Sequence, residues 1–292
     1  MPRLDKEVKV QIVRSDNKEF NINGSDWKLL ELEGFGEFEN DISVVDKAVG
    51  DGGTITSSRM EAKDRTIVAK SLNRHLNDVL RREADSFFNP KLTYKVYLTY
   101  MGITRWAEGM IYKYHLPNGN IHRTMILTVT FLFPNPYLKS FEDFGEDIAS
   151  ITPMLGFPYI CNISSGRPQG ITGGIYNFAR QVVLDNDGAV ETYCRAVFVA
   201  KGDVTNPSLI IGKSYVKVLD TMVAGDVIEM DFTKAPPTVK KNGVNIIGKC
   251  DRTSSFDTMI LNRGETVIQF DADDGTNLLR VSIYYNKLYA VI

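Results

Sequence analysis

From Met125 to Phe133 every second residue is large and apolar. Met125, Leu127, Val129, Phe131 and Phe133 share one side of an extended chain, with Thr128 and Thr130 on the other. A period of two, carried by β-branched and aromatic residues, is satisfied by a strand with one buried face and by little else. The same pattern recurs in Tyr94–Leu98, in Val267–Phe270 and in Val281–Tyr284. The chain is therefore expected to be mainly β, built from sheets that each bury one face.

One segment departs from this rule. From Asn73 to Phe88, Leu76, Leu80 and Phe87 recur at helical spacing, and Val79 and Ala84 widen the stripe. Ser71 or Asn73 is placed to cap its start, and Asn89-Pro90 supplies a stop. The expectation is one amphipathic helix of about four turns lying on a sheet, its charged residues solvated.

The clearest domain boundary follows Phe133-Pro134-Asn135-Pro136-Tyr137, because neither proline can donate to a strand ladder. This predicts two domains, residues 1–138 and 139–292. The stretch from Ser140 to Thr172, with prolines at 153, 158 and 168, is expected to be irregular. Beyond it, turn pairs such as Asp187-Gly188, Ala224-Gly225, Asn242-Gly243 and Asp274-Gly275 punctuate short strands in the rhythm of an antiparallel sandwich. Asn242-Gly243 marks a two-residue hairpin.

Length and composition permit a substantial core: 292 residues, 43% hydrophobic and 24% charged. The formal net charge is −2, and dividing the chain after Lys139 leaves 20 basic and 18 acidic residues before the cut, 14 and 18 after it. Neither half has the basic excess of a nucleic-acid-binding arm. The first residues lack the apolar region of a signal peptide, and no run of about 18 apolar residues exists to span a membrane. Synthesis in a cytoplasm without an encoded route out is expected.

The residues that usually carry chemistry are sparse and scattered. His75, His115 and His122 form no paired metal motif, and Cys161, Cys194 and Cys250 are too far apart for a zinc site or a disulfide framework. No nucleophile elbow or phosphate loop is present. The glycine runs at 50–53 and 170–174 read as turns, as do Asp185–Gly188 and Asp271–Gly275, the latter failing the calcium-loop spacing by one position. Tyr284, Tyr285 and Tyr289 could line a sugar-binding face, although alternation sends at least one of the first two into a core. No catalytic, cofactor-binding or metal residue is assigned, and the chain is expected not to be an enzyme.

Several segments, taken in order, resemble a known family. Asp51-Gly52-Gly53, Ser58-Arg59-Met60-Glu61 and Arg65-Thr66-Ile67 are similar to a stretch of siphophage tail components, with one residue more before Arg65. Phe131–Tyr137 looks like that family's ending of its first domain. Asn206-Pro207, Gly225-Asp226-Val227-Ile228-Glu229-Met230-Asp231, Asn242-Gly243-Val244-Asn245 and Leu261–Thr266 resemble motifs of its second half, with Thr266 standing where asparagine is usual. The family is that of the distal tail proteins (Dit).

The resemblance implies an α+β N-terminal ring-forming domain with one helix and an extended hairpin, followed by a galectin-like C-terminal β-sandwich. It implies a homohexamer at the tip of a phage or prophage tail, made in the host cytoplasm and then part of the virion. The implied partners are further copies of the chain, the tail tube protein, a tail-associated lysin or tip protein and, in some phages, receptor-binding proteins. Neither specific nucleic-acid binding nor membrane insertion is implied. Strand edges around Leu29–Val45 and Ile103–Phe133 are the expected joints between subunits. The alternative is a carbohydrate-binding sandwich protein that attaches to cell walls without catalysis.

Overall fold

The computed structural model describes residues 8–117, 123–141, 144–147, 150–153, 174–177 and 180–292. His122, Cys161, the turn at 118–119 and most of the glycine run at 170–174 lie outside them. The chain divides into two compact units, one of Met1–Phe141 with Leu288–Ile292, the other of Glu142–Lys287.

The first unit is one antiparallel sheet. Its strands are β1 (Lys9–Arg14), β2 (Glu19–Ile22), β3 (Trp27–Glu33), β6 (Lys63–Ser71), β7 (Thr93–Tyr100), β8 (Ile103–His115) and β9 (Ile126–Phe133). A separate ribbon joins β4 (Asp41–Asp46) to β5 (Gly53–Arg59). The sheet runs in the order β2-β1-β7-β8-β9-β6-β3. Two short strands, β10 (Leu138–Ser140) on β8 and Leu288–Tyr289 on β10, extend it. The run that defines the sequence becomes β9, with Leu127, Val129, Phe131 and Phe133 buried. Its two ladders tie it to β6 and to β8.

One α-helix, α1 (Asn77–Phe87), occurs among the described residues, preceded by a 3₁₀ turn at Arg74–Leu76. Asn73 caps the 3₁₀ turn by accepting from the His75 N–H, whereas the Ser71 hydroxyl accepts from the Met125 N–H. The α-helical part is shorter than the periodicity predicts, and only Leu80, Ala84 and Phe87 of its apolar stripe are buried. Leu76, in the 3₁₀ turn, is 40% exposed, and Val79, which flanks the buried stripe beside Leu80 in the α-helix, is 52% exposed. The far end is clamped by Arg14, whose guanidinium donates to the carbonyls of Ser86 and Phe87, both at 2.9 Å. This places a cation on the orphan carbonyls of a helix C-terminus. Phe20, Phe87, Phe88, Tyr94, Phe131 and Phe133 then interlock by ring contacts 5.0–6.1 Å apart.

The second unit is the antiparallel sandwich that the turn rhythm predicts. One sheet runs Phe144–Asp147, Leu279–Tyr285, Thr192–Ala200, Val227–Asp231, Thr238–Lys241, Val244–Asn245. The other runs Gln181–Asn186, Gly264–Asp271, Ser208–Ile211, Ser214–Lys217. Phe198, Ile228, Met230 and Ile283 from the first meet Leu209, Val216, Ile268 and Phe270 from the second in one core. Phe144–Asp147 and Ser150–Pro153 are strands although they lie in the stretch predicted to be irregular. Their ladders come from Leu279–Tyr285 and from Gly174–Asn177, partners too distant in sequence to leave a local signal.

Phe131 is fully buried and touches the rings of Tyr94 and Phe133. Phe131→Ala is expected to lower the unfolding free energy by about 3–5 kcal/mol, as large-to-small core changes of this kind do. Denaturant unfolding measures the loss.

Candidate assembly surface

The residues that could have carried chemistry are structurally committed or isolated. His75 and His115 are exposed and stand on different elements. Among the described residues no group of three or more His, Cys, Asp or Glu could hold a metal. Burial pushes the Cys194 thiol up to about 12 and the Cys250 thiol up to about 11, so both stay protonated near neutral pH. In Asp271–Gly275 the acidic side chains bond to protein: Asp271 accepts from the Ala272 N–H, Asp273 pairs with Lys217 at 2.6 Å, and Asp274 accepts from the Gly275 N–H. In Asp185–Gly188, Asn186 closes the turn by accepting from the Gly188 N–H, and Asp187 pairs with Lys287. Tyr285 is buried, Tyr284 is half-buried with the Arg195 guanidinium 5.0 Å from its ring centre, and Tyr289 lies under Arg105 at 3.7 Å.

A different feature stands out. Every residue of the β4–β5 ribbon is exposed, including Ile42 (50%), Val44 (55%) and Ile55 (64%). Val44 stands directly opposite Ile55, and Ile42 lies two residues along the same face. The other face carries Asp41 against Arg59 (3.4 Å), Ser43 against Ser57 and the exposed Val45 against Thr54. A bulge between Ser43 and Val44 twists the ribbon, and Gly50 and Gly52 take positive φ at its tip. An isolated two-stranded ribbon is marginal in water, and an apolar face on one is a demand for a covering partner.

The sheet edges refine where joints can form. β2 and β3 are the terminal strands, and β3 is paired only to β6. β9 is paired on both sides, and β8 is paired to β7 over Ile103–Met110 and to β9 over Met110–His115. The expected joint at Ile103–Phe133 is thus mostly interior to the sheet, because long-range pairing with β6 and β7 uses its edges. The Leu29–Val45 segment holds the edge strand β3 and half of the ribbon, whose β5 half lies beyond it in sequence. The apolar alternation of Ile42, Val44 and Ile55 is the signal that identifies the pair.

At the base of the ribbon Arg65 is 1% exposed. Its Nε donates to the Gly34 carbonyl (3.0 Å) and an Nη to that of Pro136 (2.6 Å), while its plane lies 5.1–5.4 Å from the ring centres of Phe35 and Phe133. No carboxylate meets it among the described residues, one Nη is unpaired, and burial pushes its pKa down to about 10. Arg65 therefore binds the chain entering the ribbon to the prolines that end the sheet.

Residues 187–289 match the family model described as "Siphovirus-type tail component, C-terminal domain". No curated protein matches the chain. Among solved structures, the Dit protein of phage SPP1, titled a paradigm of the hub adsorption apparatus in phages infecting Gram-positive bacteria, is 12% identical at a TM-score of 0.63. That likeness covers 96% of this chain and 98% of the other. The baseplate of phage P2 in its activated conformation with calcium contains a chain 10% identical at a TM-score of 0.62, covering 98% and 100%. A third, from the strontium form of the phage p2 baseplate, is 10% identical at 0.60, with the same coverage.

Within 187–289 the motif residues lock turns. Asp226 accepts from the Val223 N–H (3.0 Å) and from Asn242 Nδ2 (2.8 Å) and pairs with Lys241 (3.1 Å), while Asn242 Oδ1 accepts from the Val227 N–H (2.9 Å). Two motifs sixteen residues apart are thereby one junction. These donors hold the Asp226 carboxyl at about 2, so its contribution is complete above pH 4 and is lost as pH falls toward 2. Asp226→Asn is expected to flatten the acid limb of the stability–pH curve over that interval. Thr266 is buried, and its hydroxyl has no partner among the described residues. Thr266→Val should raise the unfolding free energy by about 1 kcal/mol, since a buried unsatisfied hydroxyl costs roughly 1–3. Urea titrations between pH 2 and 7 check both.

Proposed function

We propose that this chain, whose residues 187–289 carry the C-terminal domain of siphovirus-type tail components, is a structural subunit of a phage tail hub that assembles as a homohexameric ring. The likeness to the hub protein of phage SPP1 over nearly the whole of both chains supports the role. The observation that carries it is the β4–β5 ribbon, exposed along its full length with an apolar face of Ile42, Val44 and Ile55. In this reading residues 1–138 build the ring and residues 139–292 form the sandwich domain. The ring joins the tail tube to a tail-associated tip protein and offers a rim for receptor-binding proteins. Its work is contact rather than catalysis, carried out in the virion after synthesis in the host cytoplasm.

Six chains of 32.8 kDa give a particle of about 200 kDa, expected from light scattering and seen by electron microscopy as a ring with a central hole. Burial of each ribbon side chain is worth roughly 1.5–3 kcal/mol, so Ile42→Glu with Val44→Glu should weaken assembly by at least about 100-fold. The variant should remain a folded monomer with an unchanged unfolding transition, because neither residue belongs to a core. A wild-type protein that stays monomeric across the micromolar range overturns the proposal.

A further inference from the structure

The first unit is electrically polarised along the strands β3 and β6. At one end, where these strands meet the ribbon, a cleft of about 680 Å³ is lined by Glu33, Glu37, Glu39, Asp41, Glu61 and Asp64. Arg59 and Lys63 are the cations beside them, Arg59 engaged by Asp41 and Glu61 and Lys63 by Glu37. At the other end stand Lys28, Lys70, Arg74 and Arg123, for which no carboxylate partner occurs among the described residues; the acids nearest them are Asp26, bonded by the Ser25 hydroxyl, and Asp78, engaged by Arg82. The connections are local: Lys28 and Lys70 are cross-strand neighbours, Arg74 opens the 3₁₀ turn three residues past Ser71, and the Arg123 carbonyl accepts from Asn77 Nδ2. β6 spans nine residues, which at roughly 3.3 Å each separates the two ends by about 26 Å.

Each end also has an exposed apolar component. Phe38, Ile42, Val44 and Ile55 accompany the acids, whereas Leu72, Leu76, Val79 and Ile126 accompany the bases. The Lys28–Lys70 pair adds an independent argument. Like charges directly opposite on neighbouring strands destabilise an isolated sheet and are relieved by an anionic partner. Two acidic ends, or two basic ends, repel, so each end of one copy is satisfied only by the opposite end of another. A heterologous contact, in which two different patches of one chain meet their complements on the next, satisfies both ends at once.

We infer that the acidic, apolar base of the ribbon docks on the basic, apolar end of β3 and β6 marked by Lys28, Lys70, Arg74 and Arg123 of a second copy of this chain, and that this charge polarity sets the head-to-tail direction of assembly. The inference rests on the ring proposed above and names its two mating surfaces. Opposed charges of this kind steer encounter and suppress the wrong orientation more than they add affinity.

Reversal of either end tests it. One variant carries Glu33→Lys, Glu39→Lys and Asp64→Lys; the other carries Lys28→Glu, Lys70→Glu and Arg74→Glu. Each alone has two ends of the same sign and is expected to lose assembly by at least 100-fold while keeping the wild-type circular dichroism and unfolding midpoint. An equimolar mixture should regain particles of the wild-type mass, alternating the two variants around an even-membered ring. Wild-type assembly should also slow as salt rises from 0.1 to 1 M, where the screening length falls from about 10 to about 3 Å. If either folded variant assembles as well as wild type, or if the folded monomers fail to co-assemble, the docking inference is wrong while the hub reading stands. A wild-type protein that never assembles removes both.

Discussion

The inward row of β9, Leu127, Val129, Phe131 and Phe133, is the surface on which the first unit condenses. Burying each of these side chains contributes roughly 1.5–3 kcal/mol, and no other strand of that sheet offers so long an uninterrupted apolar row. Because β9 is paired on both sides, its position settles those of β6 and β8, and through them β3 and β7. The helix then has one place to put Leu80, Ala84 and Phe87. Arg14 and the Tyr94 hydroxyl, 3.0 Å from the Phe87 carbonyl, hold its end there.

The ribbon stands outside this condensation. Its residues contribute to neither core, and it is tied to the sheet through its base, where Arg65 is buried without a carboxylate. Burying a guanidinium is costly, and here two carbonyls and two aromatic faces offset the cost. A structure that spends a buried cation on anchoring an otherwise unsupported ribbon is organised to present that ribbon. Exposed apolar side chains on it and opposite charges at the two ends of β3 and β6 are the surface features on which the proposed ring rests.

The second unit uses its polar residues in another way. Asp226 with Asn242, Asp273 with Lys217, and Asn186 with Gly188 each close a turn or tie adjoining segments. Carboxylates committed to backbone N–H groups and lysines are poor candidates for general acid–base work. They are good at making short strands arrive in register. The motifs by which the chain resembles siphovirus-type tail components are thus, in large part, instructions for turns.

Local pattern determined the β character, the helix, the proline break and the turn rhythm of the second half, since each depends on neighbours within about ten residues. It also set the composition of both ends of the first unit, which can be read as residues but not as places. Tertiary structure decided which strands are interior: Ile103–Phe133 has the alternation of an edge as readily as of a centre, and only pairing with β6 and β7 removes it from the surface. It likewise returned Leu288–Tyr289 to pair with Leu138–Lys139, and turned Leu76 and Val79 away from the core. The common reason is that hydrogen-bond partners in a sheet are chosen across long sequence separations. Periodicity tells a residue which face it shares, and folding alone tells it whether another strand or another subunit covers that face.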